Sequence, residues 1–462
     1  MTGVFFNISI INFMKHQILS KGFYIRISII AACVILALSG CKTSNYNYYK
    51  KFNKSAVVVP KKSKGKFNPT GMVYIPSGTL DYKSPTSIEV KKVSVSAFYI
   101  DEAEVSNRQY RFFTTWVADS IAVTDYLKDE KFFLKSKQKA KTGIRKEIDQ
   151  KRINWSAVRK HSPLWKSKSP AIASKLEPMI RAEGEEITLK KELIMYRYTR
   201  IKSSGPTGNT YETIQVPVFP TENVWSTDFP NAQMEIMDWN YFDDKTYNDH
   251  PIVGVNWKQA SAYSDWRGRV IPMTTKSNPY LPKTKLAISL PTEAQWQLAA
   301  SGPKADSAAN ELYKITNKKK RKSELTVNFK QGEGEYGLDG GTFTVPVRAY
   351  FKNAYGIYNA QGNVSEWTLD AYSPSSLELT SDINPVLKYN AADDESYFMK
   401  RKVIRGGSWK DNATDVATTT RAYDVHDASH SYLGFRCVMP AYELPTEQIR
   451  SRILPKKPLK KK

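Results

Sequence analysis

The chain has 462 residues, with 69 Lys+Arg against 45 Asp+Glu and a formal net charge of +24. Its only cysteines are Cys33, Cys41 and Cys437, which excludes a scaffold stapled by several disulfides. About 420 residues beyond the first forty suffice for one large domain or two ordinary ones.

The first 41 residues read as an export signal. Lys15, Lys21 and Arg26 precede an apolar run from Ile27 to Leu38, which stops at Cys41. A run of about a dozen residues is short of the ~20 that span a bilayer as a helix. Leu38-Ser39-Gly40-Cys41 resembles a bacterial lipobox, which makes Cys41 the lipidation residue; the bland alternative is an ordinary end of a signal. The thirteen residues before Met14 lack basic character, which leaves Met14 as an alternative start. Removal of the leader leaves 66 Lys+Arg against 45 Asp+Glu, a net of +21. Export disfavours a nucleic-acid partner, so acidic proteins or anionic envelope surfaces are the expected counter-charges. Solubility alone is the competing reading of Lys-rich ends such as Lys456 to Lys462.

Residues 42–70 are rich in Lys, Asn, Ser and Pro and read as a flexible linker. From Gly71 an apolar strand is expected at Met72-Val73-Tyr74-Ile75, and Val93, Val95, Ala97 and Tyr99 alternate as a half-buried strand does. Ser106 with Gln109, Asn256 with Gln259 and Thr292 with Gln295 have capping-box spacing and predict three helix starts. Tyr110, Phe113 and Val117, and Trp257, Ala260, Tyr263 and Arg267, then recur at helical spacing, so these aromatics are expected in a core. Residues 120–245 shift character, with a Lys-rich run from Lys128 to Arg152 and an alternating stretch from Ile187 to Ile201. This segment is expected to be a partner-facing insertion in a domain spanning 71–440, followed by a basic tail at 441–462.

Outside the insertion, motifs recur in a set order. They are Gly71–Gly78; Phe98-Tyr99-Ile100-Asp101 through Glu104-Val105-Ser106-Asn107-Arg108-Gln109-Tyr110; and His250-Pro251-Ile252-Val253-Gly254-Val255-Asn256-Trp257. After these come Leu290-Pro291-Thr292-Glu293-Ala294-Gln295-Trp296; Asn353–Asn359 with Gly362-Asn363-Val364-Ser365-Glu366-Trp367; Arg405-Gly406-Gly407-Ser408-Trp409; and Leu433-Gly434-Phe435-Arg436-Cys437. This order resembles the formylglycine-generating enzyme (sulfatase-modifying factor) family. The resemblance implies an α+β, C-type-lectin-related fold with little regular secondary structure, here carrying a Lys-rich insertion. It also implies two structural calcium ions. One set of ligands maps onto Asn359, Gly362, Val364 and Glu366, and a second onto Asn328, Phe329, Asp339 and Gly341, all offering the oxygens that a hard cation prefers. Alternatively, Asn359 and Glu366 cap loops and pair with a nearby base.

The family's activity needs two redox-active cysteines between the Gly-Gly-Ser-Trp and Gly-Phe-Arg blocks, and Lys410 to Leu433 contains none. Cys437 alone cannot supply the pair, so no catalysis and no copper are expected. An iron site of three histidines is not expected either, because His250 belongs to a structural block and His426 and His430 have no evident third partner. A lipidated, cysteine-poor member of this fold with such an insertion further resembles the gliding-motility lipoproteins of the type IX secretion machinery. That implies the periplasmic face of the outer membrane, a homo-oligomeric ring, and a GldN- or PorN-like periplasmic partner. The absence of acidic residues from Lys42-Thr43-Ser44-Asn45 agrees with the inward-facing leaflet. An oxygen- or metal-dependent modifying enzyme and a carbohydrate- or peptidoglycan-binding module are the other classes considered.

Overall fold

The computed structural model describes residues 69–83, 90–134, 152–183, 186–205, 208–274, 286–302, 314–317, 322–325 and 327–441. The leader with Cys41, nearly all of the linker, residues 135–151 of the Lys-rich run and the tail after 441 lie outside them. Among the described residues no helix is long and apolar enough to cross a membrane.

Strand β1 (Met72–Ile75) forms where the apolar quartet predicts it, and β2 (Gly78–Lys83) and β3 (Val90–Val95) make an antiparallel hairpin. The alternation running on to Tyr99 is not one strand. The chain breaks at Ser96-Ala97, leaves the hairpin, and pairs with β1 as β4 (Phe98–Asp101). All four residues of β4 are buried, which is why its pattern is no longer two-sided. The Asn384 side chain accepts the Ser96 amide at 2.7 Å, so that donor stays paired where the strand breaks.

Helix α1 (Asn107–Ile121) opens on the Ser106/Gln109 capping box and buries Tyr110, Phe113 and Val117. The segment read as an insertion then supplies α2 (Pro170–Leu176), a hairpin of β5 (Ile180–Glu183) and β6 (Glu186–Leu189), and a longer hairpin of β7 (Met195–Gly205) and β8 (Gly208–Pro217). Its Leu164, Ile172, Leu176, Met179, Ile194 and Tyr196 join the apolar cluster of Phe113, Tyr263 and Trp266. The Tyr196 hydroxyl donates to Asp265 at 2.9 Å, and the Gln259 amide donates to the Pro217 and Phe219 carbonyls. One side of this segment is therefore part of the main core, while Ile201 and Tyr211 remain exposed.

Two short helices follow, α3 (Val224–Asp228) and α4 (Glu235–Asn240), then the longer α5 (Trp257–Thr274) and α6 (Glu293–Ser301). Asn256 and Gln259 exchange side-chain-to-amide bonds of 2.9 Å each, and Thr292 with Gln295 completes the box at α6. After a small hairpin of β9 (Lys314–Asn317) and β10 (Lys322–Leu325), residues 327–364 contain neither helix nor extended strand. Side chains take over the role of a ladder there: the Asn353 side-chain oxygen accepts the amides of Tyr355 and Ile357, both at 3.0 Å.

The chain then builds β11 (Ser365–Ala371), β12 (Arg401–Arg405), β13 (Arg421–Val425) and β14 (Leu433–Gly434), ordered β13-β12-β11-β14 with β14 parallel to β11. Strand β15 (Val438–Pro440) returns to β4 and closes the sheet β1-β4-β15. The architecture mixes helices and short sheets, an α+β fold, and it brings the Gly-Phe-Arg block against the first strands of the domain.

Candidate functional site

Glu366 enters β11 fully buried. Its carboxylate accepts the Arg436 guanidinium at 2.7 and 2.5 Å and the Trp296 indole N–H at 2.8 Å. The same guanidinium donates to the carbonyls of Asp101 and Tyr358 at 3.2 and 3.0 Å. The nearby base expected as the alternative partner of Glu366 is therefore Arg436. Glu104 lies in the same buried network, accepting Asn363 at 2.9 Å and Asn359 at 3.3 Å. Burial raises its pKa to about 8; Arg436 opposes the rise and Glu366 adds to it. Glu366 thus takes the guanidinium while Glu104 is held toward its neutral form, which a cation beside the Asn359–Glu366 loop would shift back toward the carboxylate. Asn359 and Gly362 turn that loop with φ of 46° and 70°, and Val364 packs beneath it, buried.

The second set adjoins the first through the backbone bond between Asn363 and Asn328. Asn328 is buried; its amide donates to the Phe343 carbonyl at 2.7 Å and to the Asn363 side chain at 3.3 Å, whereas its side-chain oxygen has no hydrogen-bond partner among the described residues. Asp339 accepts the amides of Phe329 at 3.0 Å and Gly341 at 2.9 Å, together with the Gln331 side chain. Burial raises the Asp339 pKa, and these donors offset part of the rise. The orphaned Asn328 oxygen lies 3.3 Å from where a Cβ on Gly341 would sit, and the Gly341 amide is bonded to Asp339, so the oxygens of this set fit a hard, oxygen-seeking cation. The two sets share a wall: the Asn363 amide bonds the Asn328 carbonyl at 2.8 Å, and a Cβ on Gly362 would lie 2.1 Å from that oxygen.

The loop where the resemblance calls for thiols is closed by other chemistry. Asp411 accepts the Ser408 amide at 2.8 Å and hydroxyl at 2.6 Å, and Val416 packs on Val327 and Phe329. Arg421 binds Glu293 through two contacts of 2.8 and 2.9 Å. Cys437 is buried, 3.3 Å from the Ser264 hydroxyl, and burial pushes its thiol up to about 12. So basic a thiol carries almost no thiolate at neutral pH.

The histidines do not converge. Among the described residues no three His, Cys, Asp or Glu side chains are grouped to hold a metal. His250 contacts the Thr344 hydroxyl at 3.2 Å, and His426 lies buried 3.6 Å from Asp393. His430 has both ring nitrogens engaged, with Asp228 at 2.7 Å and Asp424 at 2.9 Å, and it stacks on Tyr432. Burial opposes its charge, but the bonds to Asp228 and Asp424 prevail and raise its pKa to about 9 from an ordinary 6.5. A raised pKa favours the folded state fully below the ordinary value, and that contribution disappears as pH climbs through about 9. His430→Gln should therefore lower stability at pH 6 by on the order of 2 kcal/mol, allowing for partial exposure, and much less at pH 10. Equal urea midpoint shifts at both pH values would remove the clamp from the account.

Glu104, Arg436 and Asp228 were not singled out from the sequence. The first two sit inside motifs that read as packing, although a glutamate buried beside Ser106 and Asn107 is itself a signal for a polar network. Asp228 gave none, because His430 is 202 residues away.

Comparison with known proteins places the chain in a family. The chain is 34% identical over 205 residues to the formylglycine-generating enzyme of Bos taurus, a match covering 43% of the chain and 46% of that protein. It is 30% identical over 200 residues to the inactive C-alpha-formylglycine-generating enzyme 2 of Mus musculus, covering 41% and 49%. These matches span just under half the length of either relative. Among solved structures, PvdO from Pseudomonas aeruginosa aligns over 80% of the chain and 94% of its own, at 14% identity and a TM-score of 0.41. Residues 57–441 match the Sulfatase-modifying factor enzyme 1-like domain (FGE-sulfatase), and the chain belongs to that family.

Proposed function

We propose that this chain is a non-catalytic lipoprotein, anchored through Cys41 to the periplasmic face of the outer membrane, where it is a structural ring component of the type IX secretion and gliding-motility machinery. The reading is of the GldK (PorK) type, with a GldN- or PorN-like partner; a GldJ-like paralogue in the same machinery is the nearest alternative. The observation that carries it is the segment Lys410 to Leu433, which has no cysteine, together with a Cys437 thiol that burial keeps protonated. An inactive relative among the matched proteins supports the idea that this fold persists without its chemistry. The lipobox-like Leu38-Ser39-Gly40-Cys41 and the +24 charge support an envelope role.

Cys41→Ser should move the protein from the membrane fraction to the soluble periplasm, followed by immunoblotting of fractionated cells. Retention in the outer membrane would remove the lipid anchor from the proposal. Purified protein incubated aerobically with a cysteine-containing peptide should yield no aldehyde by mass spectrometry, and turnover would favour the modifying-enzyme reading instead.

Calcium belongs to the same proposal as a structural ion. When bound it would supply positive charge beside Asn328, Phe329, Asp339 and Gly341, and beside Asn359, Gly362, Val364 and Glu366; no copper or iron site is proposed. Calcium should raise the melting temperature of the parent protein relative to chelator, and Asp339→Asn should reduce that increment. Identical melting with and without calcium would exclude it.

A further inference from the structure

Beside α4 a cavity of about 230 Å³ opens, lined by Lys191, Glu222, Trp225, Trp239, Phe242 and Asp243, among others. Its surroundings use one recipe for holding a cation twice. The Lys191 ammonium bonds the Glu222 carboxylate and lies 5.4 Å from the Phe219 ring. The Arg111 guanidinium lies 5.7 Å from the Phe242 ring and donates to the Phe242 carbonyl. Trp239 and Asp243 line the same cavity, and Arg111, whose charge reaches Asp243, gives its hydrogen bonds to the Phe242 carbonyl and the Asn248 side chain instead. Trp239 is 75% exposed, and the exposed Asp243 carboxylate accepts no hydrogen bond among the described residues, although Arg111 feels its charge. Asp238, which also lines the cavity, is spent on the amides of Trp225 and Ser226. The lining carries three carboxylates against one ammonium, a local reversal of sign on a chain of net +24.

We infer that this cavity is a receptor for a basic side chain, arginine or lysine, presented by a partner polypeptide. An exposed indole and a carboxylate lining one cavity can attract a cation through the ring face and the charge. A Trp anchor at a cavity rim is also the kind of residue on which interface energy concentrates. The net charge of the protein repels such a ligand, so binding has to come from this local field. The inference does not rest on the lipoprotein reading and holds for either paralogue.

The test uses the full-length protein in detergent, titrated with acetyl-Gly-Arg-Gly-amide and followed by tryptophan fluorescence and calorimetry. Saturable, salt-sensitive binding is expected, weakened about tenfold or more by Asp243→Asn and by Trp239→Ala. Both side chains are exposed, so both variants should melt like the parent. The citrulline analogue, which keeps the shape and loses the charge, should bind at least about tenfold more weakly. Absence of saturable binding, equal binding of the citrulline peptide, or undiminished binding by both variants would overturn the inference. So would a preference for N-acetylglucosamine oligosaccharides, which would make the indole a sugar platform.

Discussion

Replacing Arg436 with leucine should destabilise the domain by on the order of 3–5 kcal/mol, the usual cost of removing one partner from a buried ion pair. Glu366 and Arg436 side chains are each 1% exposed, so water cannot replace the lost contacts. The guanidinium also satisfies the carbonyls of Asp101 and Tyr358, and both would be left without that donor. A second signature follows from Glu104, whose pKa Arg436 holds down. Without that charge Glu104 favours its protonated form still more, so this part of the deficit should shrink as the pH is lowered from 8. Adding Glu366→Gln to Arg436→Leu should recover part of the loss, because the uncompensated charge is gone. Urea unfolding across this pH range measures all three, and a loss below about 1 kcal/mol would place the pair among the weak surface contacts.

Gly362→Ala is expected to be nearly as damaging, although it adds one methyl group. Gly362 has φ of 70°, a region costing an alanine roughly 1–2 kcal/mol. Its new Cβ would lie 2.1 Å from the Asn328 carbonyl oxygen, so the loop has to move at a further cost of about 1–3 kcal/mol. That movement separates Asn328 from Asn363, whose backbone bond joins the two candidate cation sets. The variant should therefore lose any calcium-dependent gain in melting temperature as well as basal stability. Gly334→Ala is a useful control: its φ of 80° is equally left-handed, but a Cβ there meets nothing within 4 Å. If the two substitutions cost the same, the close approach at Gly362 contributes nothing.

Local rules were legible wherever one turn of chain contains the whole interaction. The three Ser/Asn/Thr-to-Gln pairs announced three helix starts because both partners of each box lie three residues apart. The spacing of Tyr110, Phe113 and Val117 announced a buried face for the same reason. The alternation through Val95 to Tyr99 misled because it says nothing about partners: β3 pairs with β2, and β4 with β1. The stretch from 120 to 245 reads as a partner-facing insertion because it separates two blocks that otherwise form one domain. Its scattered Leu, Ile, Met and Tyr nevertheless meet α1 and α5 in the main core.

By itself the sequence determined the order of the motifs, the family they belong to, the three helix caps and the absence of cysteine from Lys410 to Leu433. Those features depend on residue identity and short spacing. Only the tertiary structure decided that Glu366 pairs with Arg436 and shares its charge with Glu104, that His430 is clamped by Asp228 and Asp424, and that Trp239 and Asp243 line one cavity. Each of these contacts joins residues on different elements or at the far end of a loop. A buried charge, moreover, takes its partner from whatever the folded chain brings within a few ångströms.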